Sequence, residues 1–149
     1  MLGNVAPDFY PNVVLKSHTI ENYSDMIKKE LWLLYNAKGS RSPENFIRLG
    51  RVCHYISDFF CYAHNKNFSG TSRAHFRYEY RLSGHCKANV KKLYAIDFLP
   101  SSPVVNDFEA FWAMLLDIHK YYIENEKSFS ADLFYAIYAC VFIIGYLLP

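Results

Sequence analysis

Five residues in one short stretch have the types and spacing to do chemistry. They are His54, Asp58, His64, His75 and Glu79, within RLGRVCHYISDFFCYAHNKNFSGTSRAHFRYE. His54 and Asp58 are four apart, and so are His75 and Glu79. On a helix, residues four apart share a face, so each pair can reach one ion. Imidazole and carboxylate together are ordinary ligands for zinc and similar divalent metals. His64 is ten residues from His54, which turns it about 80° off that face on a helix. It suits a second ion, or a ligand position reached where the helix frays. A single HxxxD or HxxxE is a weak signal, because a hydrogen-bonded core histidine gives the same pattern. Two such pairs with a histidine between them, in a chain of only six histidines, favour metal binding. Asp58 adds to this, because it sits beside Phe59, Phe60 and Tyr62. An ionised carboxylate there is costly unless it is paired or bound to a cation.

These groups need elements to hold them. Thr19 is a candidate N-cap for a first helix over 20–37, with Tyr23, Met26, Ile27, Leu31 and Leu34 on its apolar face and Lys38–Gly39 closing it. Ser42 and Pro43 start a second helix, as a cap followed by proline at the first helical position. Its far end carries His54 and Asp58, with His64 near that end. A polar loop over 65–72 follows, and Ser72 is the expected cap of a third helix over 73–95 bearing His75 and Glu79 in its first two turns. Gly84 is expected to loosen the middle of that helix. After a loop marked by Pro100 and Pro103, the NDFE sequence predicts a fourth helix capped by Asn106 with Glu109 at its third position. A fifth helix is expected from about Ser130. Its uncharged run, LFYAIYACVFIIGYLL, is somewhat short for a membrane span and reads as a buried packing helix, with membrane association as the alternative. No strand alternation persists and no repeat is visible. The expected architecture is all-α: about five main helices around a metal centre, in a single domain over 1–149.

Composition agrees with a folded domain. At 149 residues the chain fits one core, and 52% hydrophobic with 18% aromatic residues argues against disorder. Thirteen Tyr and twelve Phe imply a core of large rings whose hydroxyls need partners. A net charge of +2 gives no nucleic-acid signal of the bulk kind. Lys28, Lys29, Lys87, Lys91 and Lys92 read as solvated faces, with an anionic lipid or phosphate surface as the sharper alternative. Cys53, Cys61, Cys86 and Cys140 form no CxxC pair, so a thiolate zinc knuckle is not expected. Cys53 is expected in the core. His85 and His119 are expected at the surface or at helix caps. Tyr55, Phe59, Tyr62 and Phe68 read as core, with a lipid or base pocket as the alternative. Met1 leads into Leu2, Gly3 and Asn4, with no basic region or long apolar run, so no signal peptide is read. If that start is genuine, a cytoplasmic or membrane-associated protein is expected.

The segment HYISDFFCYAH, followed by HxxxE, resembles the zinc-binding core of the bacterial zinc-dependent phospholipase C family, which shares its fold with the P1 nucleases. LGNVAPD and the later His18 resemble that family's upstream metal-binding Asp and His. The resemblance spans Leu2 to about Leu82. It implies that Asp8, His18, His54 and Asp58 hold one zinc, and that His64, His75 and Glu79 hold another. It also implies Asp8 as general base, and a phospholipid or other phosphodiester as substrate, with peripheral membrane contact. In the family a third zinc, bridged by the residue matching Asp58, is held by an N-terminal Trp and a nearby His. The chain as given carries neither, so two zinc sites are expected, with the third incomplete and lipase activity weak or absent. The alternatives are a related nuclease, or a metal-stabilised helical protein without turnover. Oligomeric state is not legible.

Overall fold

A computed structural model describes residues 18–96, 107–125 and 127–147. Among these the architecture is all-α, as expected. There are five α-helices: α1 (Ile20–Asn36), α2 (Pro43–Phe59), α3 (Ser72–Tyr94), α4 (Phe108–Asn125) and α5 (Phe129–Leu147). A 3-10 turn, Tyr62–His64, lies between α2 and α3.

The helix boundaries follow local chemistry. Thr19 is the N-cap of α1, but its hydroxyl makes no capping bond; its carbonyl oxygen accepts from Asn22 and Tyr23 instead. The chain leaves α1 through Gly39, whose φ of 84° is a backbone state that a side chain disfavours. Ser42 caps α2 as expected, its Oγ accepting from the Asn45 N–H at 3.2 Å, with Pro43 following. Two caps and one break differ from expectation. Thr71, not Ser72, caps α3, accepting from the Ala74 N–H at 3.3 Å. Asp107 caps α4, accepting from the Ala110 N–H at 2.8 Å, while Asn106 lies outside the described residues. Ser128 caps α5, which starts at Phe129, close to the expected Ser130. At α3 and α4 two adjacent residues could cap, and side-chain reach chose between them. Finally, α3 runs unbroken through Gly84; one glycine costs about 1 kcal/mol, less than a break in a helix of 23 residues would lose.

The core lies between α1, α2, α4 and α5. Ile27, Leu31, Val52, Phe111, Ala139 and Ile143 are fully buried there. The rings stack as the composition implied: Phe111 lies 4.1 Å from Tyr146 and 5.2 Å from Phe142, centroid to centroid. Tyr55 and Phe59 are core residues of α2, as expected, whereas Tyr62 and Phe68 are half-buried and pack edge to face on each other. α5 packs on α2, α3 and α4, burying Ala139, Phe142, Ile143 and Leu147, while Phe134 and Ile144 face outward. By length and composition alone it would also pass as a membrane-crossing helix. α3 stands apart from the core. None of its residues is buried, and it leans on α5 and the 3-10 turn.

Candidate metal centre

Four segments converge on the candidate ligands. His18 precedes α1, His54 and Asp58 end α2, His64 closes the 3-10 turn, and His75 and Glu79 begin α3. The turn exists because α2 stops at Phe59. Phe60 and Cys61 donate to Ser57 and Asp58, and His64 then donates its N–H to Cys61. This tight exit turns His64 inward, where it is buried, rather than leaving it on a helical face.

Two groups of ligand atoms result. His18, Asp58 and His64 form one, and His64, His75 and Glu79 form the other, with the atoms of each group within 4.8 Å of one another. His18 Nδ1 lies 2.8 Å from Asp58 Oδ2, and His54 Nε2 lies 3.3 Å from the same oxygen. His64 Nε2 is 2.8 Å and His75 Nε2 is 3.1 Å from Glu79 Oε1. His64 was expected only with His75 and Glu79, but it also reaches the first group, its ring stacking on His18 at 6.0 Å. The two groups therefore adjoin through His64. Asp8 lies outside the described residues.

The donor chemistry of this cluster fits a cation. The Ala63 carbonyl oxygen lies 3.0 Å from His75 Nδ1 and can only accept, so Nδ1 carries the hydrogen. A neutral His75 then presents a lone pair at Nε2 toward a carboxylate oxygen. Two acceptors at that distance require a proton or a metal ion between them, and a backbone carbonyl on the far ring nitrogen is how ligating histidines are commonly oriented. The His64 hydrogen bond, helped by His75, holds the Glu79 carboxyl below its ordinary range despite its partial burial. Glu79 is thus poised as an anion between two imidazoles.

His54 belongs to neither group of three, though its Nε2 approaches Asp58, and His85 and His119 stand outside them as well. His85 Nε2 lies 3.1 Å from Ser130 Oγ, tying α3 to the start of α5. His119 is not a surface residue: its Nε2 donates to the Phe59 carbonyl at 3.0 Å, capping the end of α2 from α4, and burial lowers its pKa. Cys53 faces Cys140 on α5, whose Sγ lies 3.7 Å from the Cys53 carbonyl oxygen. All four cysteines are free thiols.

One polar residue near the centre had no sequence signal beyond an acid early in an apolar run. Asp132 of α5 is 1% exposed and receives hydrogen bonds from the Tyr122 hydroxyl, the Tyr78 hydroxyl and the Tyr62 N–H. The abundance of tyrosine hinted that hydroxyl partners must exist, but not which residue they would share.

A family model described as zinc dependent phospholipase C matches residues 1–129. The all-α bundle of five described helices is the phospholipase C/P1 nuclease type of fold. No curated protein matches the chain, and no solved structure matches it either. The family match covers most of the chain, and with the two ligand groups it supports a zinc-dependent, hydrolase-like function in general terms. The chain belongs to the zinc dependent phospholipase C family.

Proposed function

We propose that this chain is a zinc-dependent phosphodiester hydrolase acting on phospholipid head groups. In this reading Asp8, His18, His54 and Asp58 serve one zinc, and His64, His75 and Glu79 serve another. The observation that carries it is Glu79 Oε1, which meets two imidazole nitrogens at 2.8 and 3.1 Å while the Ala63 carbonyl claims the hydrogen of one of those rings. Bound zinc would supply Lewis-acid polarisation of phosphate oxygens and a lowered pKa for attacking water. The chain's own residues do the rest. The half-buried carboxylates of Asp58 and Glu79 keep negative charge at the centre. The Ala63 carbonyl holds the His75 ring in one orientation. Asp8 is the proposed acceptor of the water proton.

The substrate class is favoured by the outer face of α3. Phe76 and Tyr80 are 69% and 82% exposed, one helical turn apart, and Arg73 and Arg77 beside them are exposed as well. Aromatic rings interleaved with arginines suit the headgroup layer of an anionic membrane. The same helix carries His75 and Glu79, so a lipid held there would have its phosphate near the ligand groups.

The test combines zinc content with two substrates. Purified protein is dialysed against metal-free buffer, analysed for zinc, and assayed on a short-chain phosphatidylcholine and on single-stranded RNA. Two zinc ions per chain with head-group release is the expected result. Zinc with RNA cleavage alone would move the substrate to nucleic acid, and zinc without turnover would leave a metal-stabilised helical protein. In His64→Ala, which removes the residue shared by both groups, zinc content should fall by at least one ion per chain. Unchanged content would sink the ligand assignment.

A further inference from the structure

Asp132 links the parts of the molecule that carry the second ligand group. Its Oδ1 accepts from the Tyr122 hydroxyl of α4 at 2.7 Å. Its Oδ2 accepts from the Tyr78 hydroxyl of α3 at 2.7 Å and from the Tyr62 N–H at 3.1 Å. Tyr62 opens the turn that ends in His64. Tyr78 adjoins Glu79 and lies three residues beyond His75. One carboxylate oxygen therefore ties together the two backbone pieces that bring His64, His75 and Glu79 to one point. This matters because α3 buries no residue of its own against the core. The hydrogen bond from Tyr78 to Asp132 is one of the few directional ties holding its first turns against α5 and the turn. Asp132 also lies beyond the segment that the family match covers, which ends at residue 129.

We propose that Asp132 is a positioning residue for the His64–His75–Glu79 group, setting the distance between the 3-10 turn and α3. The inference rests on the reading of those three residues as zinc ligands. Asp132 acts through Tyr62 and Tyr78, which it binds directly, and not as a ligand itself. An ionised carboxylate can accept all three hydrogen bonds; a carboxamide cannot, because its nitrogen only donates. With Asp132→Asn, either the Tyr122 side or the Tyr62/Tyr78 side meets that nitrogen. The Tyr122 hydroxyl can rotate to accept from it, and so can the Tyr78 hydroxyl, but the Tyr62 N–H cannot.

The experiment is a zinc titration of the full chain in competition with a chromophoric chelator. It compares wild type, Asp132→Asn, Tyr78→Phe, His75→Ala and Ile143→Ala. The binding step lost in His75→Ala identifies the second group. Asp132→Asn can keep its oxygen on Tyr62 and Tyr78 with its nitrogen facing Tyr122, so it should weaken that step by about threefold, through loss of the charge on those bonds. Tyr78→Phe removes the tie to α3 outright and should weaken it more, by about tenfold, and the other step should change by less than about twofold in both. Ile143→Ala lowers stability through the core alone and should leave both steps in place. The inference is overturned if Asp132→Asn and Tyr78→Phe leave the His75-dependent step unchanged, or if both steps weaken equally in these variants and in Ile143→Ala. A wild type without a His75-dependent step would instead overturn the ligand reading, and this inference with it.

Discussion

Asp58 and Asp132 are both carboxylates set among aromatic rings, and their partners differ in kind. Asp132 meets two hydroxyls and one backbone amide, all of which have a hydrogen to give. Asp58 meets imidazole nitrogens from His18 and His54, and Glu79 likewise meets those of His64 and His75. An imidazole nitrogen donates in one tautomer and accepts in the other, so these contacts can be filled by a proton or by a cation. The difference separates a carboxylate that holds the fold from carboxylates that can hold a metal. Burial alone would have ranked them the other way, since Asp132 is the most buried of the three and burial raises its pKa even against its three donors.

That contrast breaks if metal-free protein responds alike to losing either acid. Asp132→Ala leaves three donors buried without an acceptor and should cost about 3–5 kcal/mol in urea denaturation of the zinc-free chain. Asp58→Asn should cost about 1 kcal/mol or less under the same conditions, because the carboxamide oxygen still accepts a hydrogen bond and leaves no donor without an acceptor. Equal losses would mean that Asp58 is as structural as Asp132.

The histidines sharpen the same division at a smaller scale. Burial lowers the His119 pKa from its ordinary 6.5, and its ring donates to the Phe59 carbonyl. The unfolded chain then takes up the proton first. The stabilisation is complete above about pH 6.5 and is lost as pH falls through the lower folded value. Glu79 acts in a more acidic window: its lowered carboxyl supports the fold above its ordinary 4.5 and loses that support as pH falls through the folded value. His119→Gln, which can still donate to Phe59, should flatten the thermal-stability profile of metal-free protein just below about pH 6.5. It should leave the more acidic fall in place. A profile identical to wild type would mean that His119 is not the group that titrates there.

The smallest effect concerns α3 away from the ligands. A Cβ placed on Gly84 meets no atom within 4 Å. Gly84→Ala should therefore raise stability by about 0.5–1 kcal/mol, read as a higher midpoint of thermal unfolding, with zinc binding unchanged. Destabilisation would show that the helix needs its glycine, contrary to its unbroken course.

Much of this was legible in one dimension. Spacing of four along a helix put His54 with Asp58 and His75 with Glu79, because helical geometry makes such pairs neighbours whatever surrounds them. Ser42 followed by Pro43 marked the start of α2 for an equally local reason. The caps of α3 and α4 were missed by one position, since Thr71 and Asp107 each stand beside another residue able to cap. Which helix end His119 would cap was not legible, because the acceptor that claims it, the Phe59 carbonyl, is sixty residues away in sequence.

The sequence by itself determined the all-helical pattern, the aromatic core and the residue types that can meet a metal, because each follows from local periodicity and side-chain chemistry. Only the tertiary structure decided that His64 would adjoin both ligand groups, that the Ala63 carbonyl would orient His75, and that Asp132 would gather three tyrosines. Those outcomes depend on where α2 ends and on which face of α5 meets α3 and α4. Such long-range packing is set by the whole core at once, and no single stretch of the chain encodes it.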